Sequence, residues 1–360
     1  MAASAPTWGE SISHQDLDHT GIGSESAEFK EVIKNLSPTG RKKVFDFAKK
    51  LESSLTESIS ILMTGKTGSG KSTLTNGILG TKLAEEGASI TTRCTTEVLK
   101  YQTMRDKINV TVWDSPGLQD GTENQEEYLQ QMVENCSKVD ITLYCIKVCE
   151  TRFVRGLENP DVVAMTRLTE AFGPKFWNNS IIVLTYANTL QAFNVEWEDL
   201  SKKKKEEAYK AKIKEWEEQI KAILIEDIEI PKDVVDGIKV IPAGHYRKAK
   251  LPGFGYWLSL LWFECVSTIP NKETRLSMLK INKNRLKREN DVKNDDFQKP
   301  LEEQPLIISE SMMKRMMKDG GRIGFQLGEF LAGPMGATVG AGAGAVVGAL
   351  AGVLIEYFTG

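Results

Sequence analysis

The sequence predicts an α/β fold built on a mostly parallel, doubly wound sheet, and three observations predict it. Strand and helix patterns alternate from residue 59 to residue 266. Two strand patterns, residues 141–148 and 181–184, are almost unbroken apolar runs, as expected of strands covered on both faces. The first strand pattern, residues 59–63, runs straight into a glycine-rich loop and then a helical pattern, the strand-loop-helix unit of phosphate-binding folds.

Taken in order, residues 1–24 have little periodicity and are expected to be a mobile leader. Two short amphipathic helices follow. Phe29, Val32, Ile33 and Leu36 share one face of the first, the stretch 37–40 breaks it, and Val44, Phe47, Ala48, Leu51 and Leu55 mark the second. After the glycine-rich loop and its helix (74–79), a polar segment at 81–96 leads to strands at 97–103 and 108–113, the latter alternating with period two. Helices are expected near 124–136 and 161–172, and a long charged helix over 202–225 carries Ile213, Trp216, Ile220 and Ile223 at helical spacing. A last strand at 238–241 and a closing helix at 256–266 complete a domain spanning 25–270. Residues 271–310 then read as a basic helix (271–290, seven Lys and Arg) and a polar, flexible linker (291–304), ahead of a glycine-rich tail at 311–358.

Composition narrows the classes of function. The 360 residues, 41% hydrophobic, suffice for a sizeable core, and a net charge of −3 gives no global attraction to nucleic acid, so no nucleic-acid partner is expected. The run Lys202-Lys203-Lys204-Lys205, followed by Glu206-Glu207, reads as a solvated helix face. Cys94, Cys136, Cys145, Cys149 and Cys265 are odd in number and lack C-x-x-C spacing, which points to reduced core thiols. The opening residues show no charged stretch followed by an apolar one, so no secretory signal is expected and the domain is placed in the cytoplasm.

The glycine-rich loop, Thr64-Gly65-Lys66-Thr67-Gly68-Ser69-Gly70-Lys71-Ser72-Thr73, spells G-x-x-x-x-G-K-[ST]. Gly65, Gly68 and Gly70 let backbone N–H groups, with those of Thr67, Ser69 and Thr73, turn onto phosphate oxygens at a helix N-terminus. Lys71 would reach the terminal phosphates and Ser72 would ligate Mg2+. Kinases, ATPases and GTPases all use such a loop. The D-x-x-G turn Asp114-Ser115-Pro116-Gly117, one strand pair later, favours a GTPase: Asp114 would hold magnesium through water and the Gly117 N–H would meet the γ-phosphate. Between them, Thr91 is the first choice and Thr92 the second for a switch threonine on magnesium and γ-phosphate. A metabolic kinase is a weak third class, since no small-substrate pocket is legible.

These motifs resemble the septin-like GTPases that include the immunity-associated (GIMAP) family and the chloroplast outer-envelope import receptors. The resemblance covers roughly residues 38–270. It rests on Ser89, Thr91 and Cys94, on Asp114-Ser115-Pro116-Gly117-Leu118, and on the stretches 168–173 and 177–187, the last being most similar to the import receptors. It implies GTP/GDP and Mg2+ as ligands, a base pocket formed by Thr185, Tyr186 and Asn188, and a loop closing the base at Ala243 and Gly244. It also implies a nucleotide-dependent homodimer.

Two departures stand out. Where that group's wider relatives read guanine with an aspartate, this chain has Asn188, with one acceptor oxygen and an NH2 that would face a donor; a ring stacked on the base from Tyr186 is the substitute the resemblance offers. Leu118 stands where many GTPases place a water-orienting glutamine, so slow hydrolysis is expected. In the import receptors a partner arginine approaches the phosphates from the loop after the fourth strand. Arg152 and Arg155 occupy that loop here, and the reading of either as a plain surface arginine stays beside it.

The tail carries its own signal. Residues 330–355 hold no charge, and Gly336, Gly340, Gly344, Gly348 and Gly352 recur every fourth residue, giving a helix one smooth face for close helix packing. From Met335 the 21 uncharged residues to Ile355 would span about 30 Å at about 1.5 Å each. Lys314, Arg315, Lys318 and Arg322 upstream place the nucleotide domain on the cytoplasmic side of an intracellular membrane. The expected function is a slow, GTP-controlled dimerising switch at a membrane surface, with no effector legible. The alternative is a membrane-active or scaffold protein whose tail is the effector and whose nucleotide is structural.

Overall fold

The computed structural model describes residues 56–66, 68–84, 98–115, 125–136, 138–148, 155–156, 159–191, 200–245, 247–289 and 292–308. The chain forms two compact units: Thr56–Arg285 with Asn290–Ile307, and Met1–Leu55 with Leu286–Glu289 and Ile308–Gly360. In the second unit, Leu286–Arg288 is a short strand. The expected leader, the two helices within 25–55, the switch segment around Thr91, and the glycine tail lie outside the described residues.

The first unit is built on a six-stranded sheet in the order β2-β3-β1-β4-β5-β6. Its strands are β1 (Ser58–Gly65), β2 (Leu99–Arg105), β3 (Ile108–Asp114), β4 (Ile141–Lys147), β5 (Ser180–Thr185) and β6 (Lys239–Pro242). All neighbours run parallel except β2 against β3. That pair is closed by Asp106 and Lys107, both at positive φ (46° and 68°), the backbone of a two-residue primed hairpin turn. The apolar runs behave as read. Every residue of β5 is buried, and so is all of β4 except Lys147, because helices cover both faces.

Around the sheet lie α1 (Lys71–Leu79), α2 (Gln125–Cys136), α3 (Pro160–Phe172), α4 (Lys202–Glu226), α5 (Lys232–Gly237), α6 (Trp257–Thr268) and α7 (Lys272–Lys280). Asn159 caps α3, its side chain accepting the Asp161 N–H at 3.0 Å, with Pro160 in the first turn where a missing N–H costs nothing. In α4 the stripe Tyr209, Ile213, Trp216, Ile220, Ile223 and Leu224 is buried. Its outer face is laced by Lys203–Glu207, Lys214–Glu218 and Lys221–Glu217 ion pairs, so the lysine run opens a helix with a solvated charged face. Cys136, Cys145 and Cys265 are free and buried.

The stretch beyond residue 270 differs from its reading. The basic helix ends at Lys280 rather than 290, because Ile281 and Asn282 turn inward and are buried. Residues 292–304, within the stretch expected to be a flexible linker, pack into the first unit instead, as do residues 305–307. Leu301, Leu306 and Ile307 are buried, Phe297 stacks on Tyr256 at 5.2 Å, and Gln304 donates to the Lys299 carbonyl at 2.9 Å. The polar composition concealed this, since the polar groups are satisfied by backbone carbonyls and a few apolar anchors suffice. At its start the extension is tied to the sheet: Thr274 donates to Asp140 (3.4 Å), whose other oxygen accepts the Ser60 N–H (2.8 Å).

Candidate functional site

The site grows from the C-terminal ends of β1 and β3. Their register sets Met63 beside Asp114, so the loop leaving β1 and the aspartate ending β3 emerge side by side. Ser115 fastens the join, its N–H donating to the Met63 carbonyl (3.0 Å) and its hydroxyl to the Thr64 hydroxyl (2.9 Å).

The loop conformation demands its glycines. Gly68 and Gly70 have φ of 73° and 83°, left-handed values that glycine adopts without strain. At Gly65, φ is 128°, and a Cβ there would run into the Cys145 carbonyl of β4. This glycine therefore serves strand packing as much as phosphate binding. Gly70 is the N-cap of α1, with no side-chain cap and no acidic residue in the first turn. The first-turn N–H groups of Lys71, Ser72 and Thr73 thus have no side-chain cap among the described residues and lie at the positive end of the helix dipole, where an anion is favoured.

Lys71 is buried, its ammonium donating to the carbonyls of Gly65 (3.0 Å) and Lys66 (3.1 Å). Asp114 is 3% exposed, and its Oδ1 has no hydrogen-bond partner among the described residues. Burial pushes its carboxyl above the usual range, opposed by the charge of Lys71 and a hydrogen bond from Ser72. The Ser69 hydroxyl is likewise buried and unpartnered. A buried carboxylate oxygen, an adjacent hydroxyl and an ammonium around an uncapped helix start make a cradle for a metal-bound polyphosphate. Among the described residues no group of three or more His, Cys, Asp or Glu could hold a metal.

The residues expected around a base have other partners in the fold. Tyr186, at a left-handed φ of 57°, brings its ring to the phosphate loop: a Cβ at Gly70 would lie 3.6 Å from Cε2 of Tyr186. The Lys147 ammonium sits 4.9 Å from the centre of the same ring. Thr185 turns its hydroxyl into the sheet, onto the Ile146 carbonyl at 3.2 Å. Asn188 uses its side-chain oxygen to hold the His245 N–H at 2.8 Å. The Ala243 N–H is committed to the Leu184 carbonyl (2.8 Å) and its carbonyl to the Ala187 N–H (3.0 Å), which removes Ala243 as a donor to the base. Gly244 is closely packed: a Cβ there would lie 3.1 Å from the Trp257 indole nitrogen, which would have to give way slightly.

Thr67, Thr91 and Gly117 lie outside the described residues, as does Arg152. Arg155 is bound to the end of α4, 2.6 Å from Glu226 and 3.8 Å from Asp227, in keeping with the surface reading.

Sequence reading missed the support behind the loop. Lys66 reaches Asp161 at 3.5 Å, and the buried Tyr144 hydroxyl donates to Asp161 Oδ1 at 3.3 Å. Burial raises the Asp161 carboxyl, and Lys66 works against that rise. The only sequence signal was the helix-start pattern Asn159-Pro160-Asp161, which announces a cap and not a partner for Lys66.

With this geometry in place, comparisons supply relatives. Residues 59–226 match the AIG1 family. Translocase of chloroplast 34 from Pisum sativum is 26% identical over 183 residues, 48% of this chain and 55% of that one. GTP-binding protein A from Dictyostelium discoideum is 26% identical over 141 residues, 36% of this chain and 28% of that one. The chain thus spans about half the length of the former and little more than a quarter of the latter. A crystal structure of a dimerization-deficient mutant of Toc33 from Arabidopsis thaliana superposes with a TM-score of 0.50 at 19% identity. It covers 67% of this chain and 96% of Toc33, a likeness of fold. Motifs, sheet order and comparisons agree: residues 59–226 are an AIG1 family domain on a P-loop GTPase fold.

Proposed function

We propose that this chain binds GTP with magnesium, hydrolyses it slowly, and works as a nucleotide-controlled dimerising switch held at a membrane surface by residues 330–355. The observation that carries the nucleotide part is the unpartnered Oδ1 of Asp114, set beside Ser72 and Lys71 at the uncapped start of α1. Residues that bury a charge without satisfying it have a ligand to meet.

In this reading the backbone N–H groups of the loop and first turn hold the phosphates, while Lys71 leaves its loop carbonyls for the terminal ones. Ser72 and Asp114, joined by Thr91, would hold the magnesium, which would supply positive charge to neutralise the phosphates. Gly117 offers its N–H to the γ-phosphate. Tyr186 and Lys147 border the base, and Asn188 keeps the β6–α6 loop closed over it. Leu118 orients no water, so turnover is slow and function lies in the assembly that the bound state permits. The relatives' names speak of GTP binding and of chloroplast translocation; only the first is carried to this chain, because residues that suit it are here. Among the described residues no helix is long and apolar enough to cross a membrane, and the tethering tail rests on its glycine pattern and basic flank.

The test is binding of a fluorescent GTP analogue with and without magnesium. Wild type should bind with magnesium, and Lys71→Ala should lose at least about a hundredfold in affinity, equivalent to about 2.7 kcal/mol. Equal binding by Lys71→Ala would sink the proposal. Removing residues 320–360 should abolish sedimentation with vesicles and leave nucleotide affinity intact. Nucleotide-insensitive vesicle leakage that depends on the tail would favour the scaffold alternative.

A further inference from the structure

The helix that starts at the phosphate loop is gripped at its other end by the segment after α7. Three side chains satisfy carbonyls at the C-terminal end of α1 and its cap, Gly80. Asn282 donates to Ile78 O at 2.9 Å, Arg285 Nη1 to Gly77 O at 2.7 Å, and Arg105 Nη2 to Gly80 O at 2.7 Å. The rest of the Arg285 guanidinium holds the extension itself, with Nε on Gln304 O (2.9 Å) and Nη2 on Leu301 O (3.0 Å). One planar fork therefore ties the end of α1 to two points of residues 301–304.

Two glycines, Gly77 in α1 and Gly80 at its C-cap, have no phosphate duty and are explained by this grip. A Cβ at Gly77 would lie 2.5 Å from Cδ2 and 2.8 Å from Cγ of Leu301, which is buried against the helix. At Gly80, φ is 65° and a Cβ would lie 2.7 Å from Cδ of Arg285. Glycine in mid-helix is unfavourable on its own account, so its presence at 77 marks a close approach. Burial pushes the Arg285 guanidinium down to about 10, with Arg105 adding to the effect; it still carries its charge near neutral pH, at the negative end of the α1 dipole.

We propose that Asn282, Arg285 and residues 301–304 form a clamp that sets the position of α1, and through it the phosphate loop, with Arg285 as a positioning residue. The nine residues of α1 form one rigid lever: its N-terminus meets phosphate and its C-terminus meets the clamp. Phosphate engagement and clamp closure therefore stabilise one another. The segment reports nucleotide occupancy to whatever follows it in the chain. This inference rests on the nucleotide reading above.

Hydrogen exchange on the full chain tests it, with magnesium and guanosine imidotriphosphate as the probe. In wild type, amides of residues 68–80 and of 282–304 should both slow on addition of the nucleotide; in Lys71→Ala neither should. Protection at 68–80 alone overturns the clamp and leaves the nucleotide reading standing, whereas protection at neither removes both. Arg285→Met should speed release of fluorescent GTP about tenfold, with Arg285→Lys intermediate. If Arg285→Met proves unstable, Leu301→Ala, which leaves every donor in place, should weaken nucleotide protection of 282–304; undiminished protection in that variant also counts against the clamp.

Discussion

The side-chain oxygen of Asn188 accepts the backbone N–H of His245 at 2.8 Å, joining the turn after β5 to the loop after β6. An asparagine at this position reads, in sequence, as a weakened base-recognition residue; in the fold it is a tether between two loops. Its effect on nucleotide affinity should then be the same for every base. Asn188→Ala should weaken GTP and XTP binding by the same factor, about fivefold for one lost hydrogen bond of about 1 kcal/mol. A competition assay in which the GTP-to-XTP ratio moves tenfold or more would show instead that Asn188 reads the base edge.

Asp114 is buried with no hydrogen-bond partner for its Oδ1 among the described residues, at a cost to the ligand-free fold. Burial is the largest cause of its raised carboxyl, so the ionised form is unfavourable when no cation is near. Asp114→Asn should raise the Tm of the nucleotide-free protein by about 2–4 °C, the shift expected for about 1 kcal/mol in a domain of this size, and should remove the magnesium dependence of nucleotide binding. Calorimetry and the fluorescence titration read the two effects separately.

The same carboxyl predicts a pH dependence. A carboxyl whose folded value is raised contributes stability that is fully present below its unfolded value of about 3.9 and is lost as pH rises through the folded value. The advantage of Asp114→Asn over wild type should therefore be absent near pH 4 and grow towards pH 7. Urea midpoints across that range check it, and an advantage that shrinks with rising pH would contradict the assigned direction.

Gly77 sits under Leu301, so Gly77→Ala should destabilise the fold by about 1–3 kcal/mol through overpacking, against the gain of about 1 kcal/mol that alanine brings to an open helix. Adding Leu301→Ala to Gly77→Ala should recover part of the loss, because the two residues share one contact. Denaturant melts of the two single variants and the pair close the cycle. A stabilising Gly77→Ala would mean that Leu301 gives way freely.

Burial pushes the thiols of Cys136 and Cys145 up to about 12, and that of Cys265 higher still. Native protein at pH 8 should thus react with a thiol reagent at no more than two of its five cysteines, Cys94 and Cys149, and at all five once unfolded. Rapid labelling of a third thiol without unfolding would show that this core opens easily.

The positions of the strands along the chain, the glycine-rich loop and the D-x-x-G aspartate were legible from sequence alone. Each is a local pattern: period-two alternation, unbroken apolar runs, and glycines at fixed spacing before a lysine. Local patterns fix local structure, and in this fold the loop, Lys71, Ser72 and Asp114 are placed by strand ends that the pattern already locates. What tertiary structure alone decided are the long-range partners: Lys66 with Asp161, Tyr186 with Gly70, Asn188 with His245, and Arg285 with Gly77. The last pair lies 208 positions apart, and its arginine stands in a stretch that reads as a basic helix. A guanidinium that satisfies backbone carbonyls leaves no periodic trace in sequence, because its acceptors belong to every residue type; only folding shows which carbonyls lack another donor.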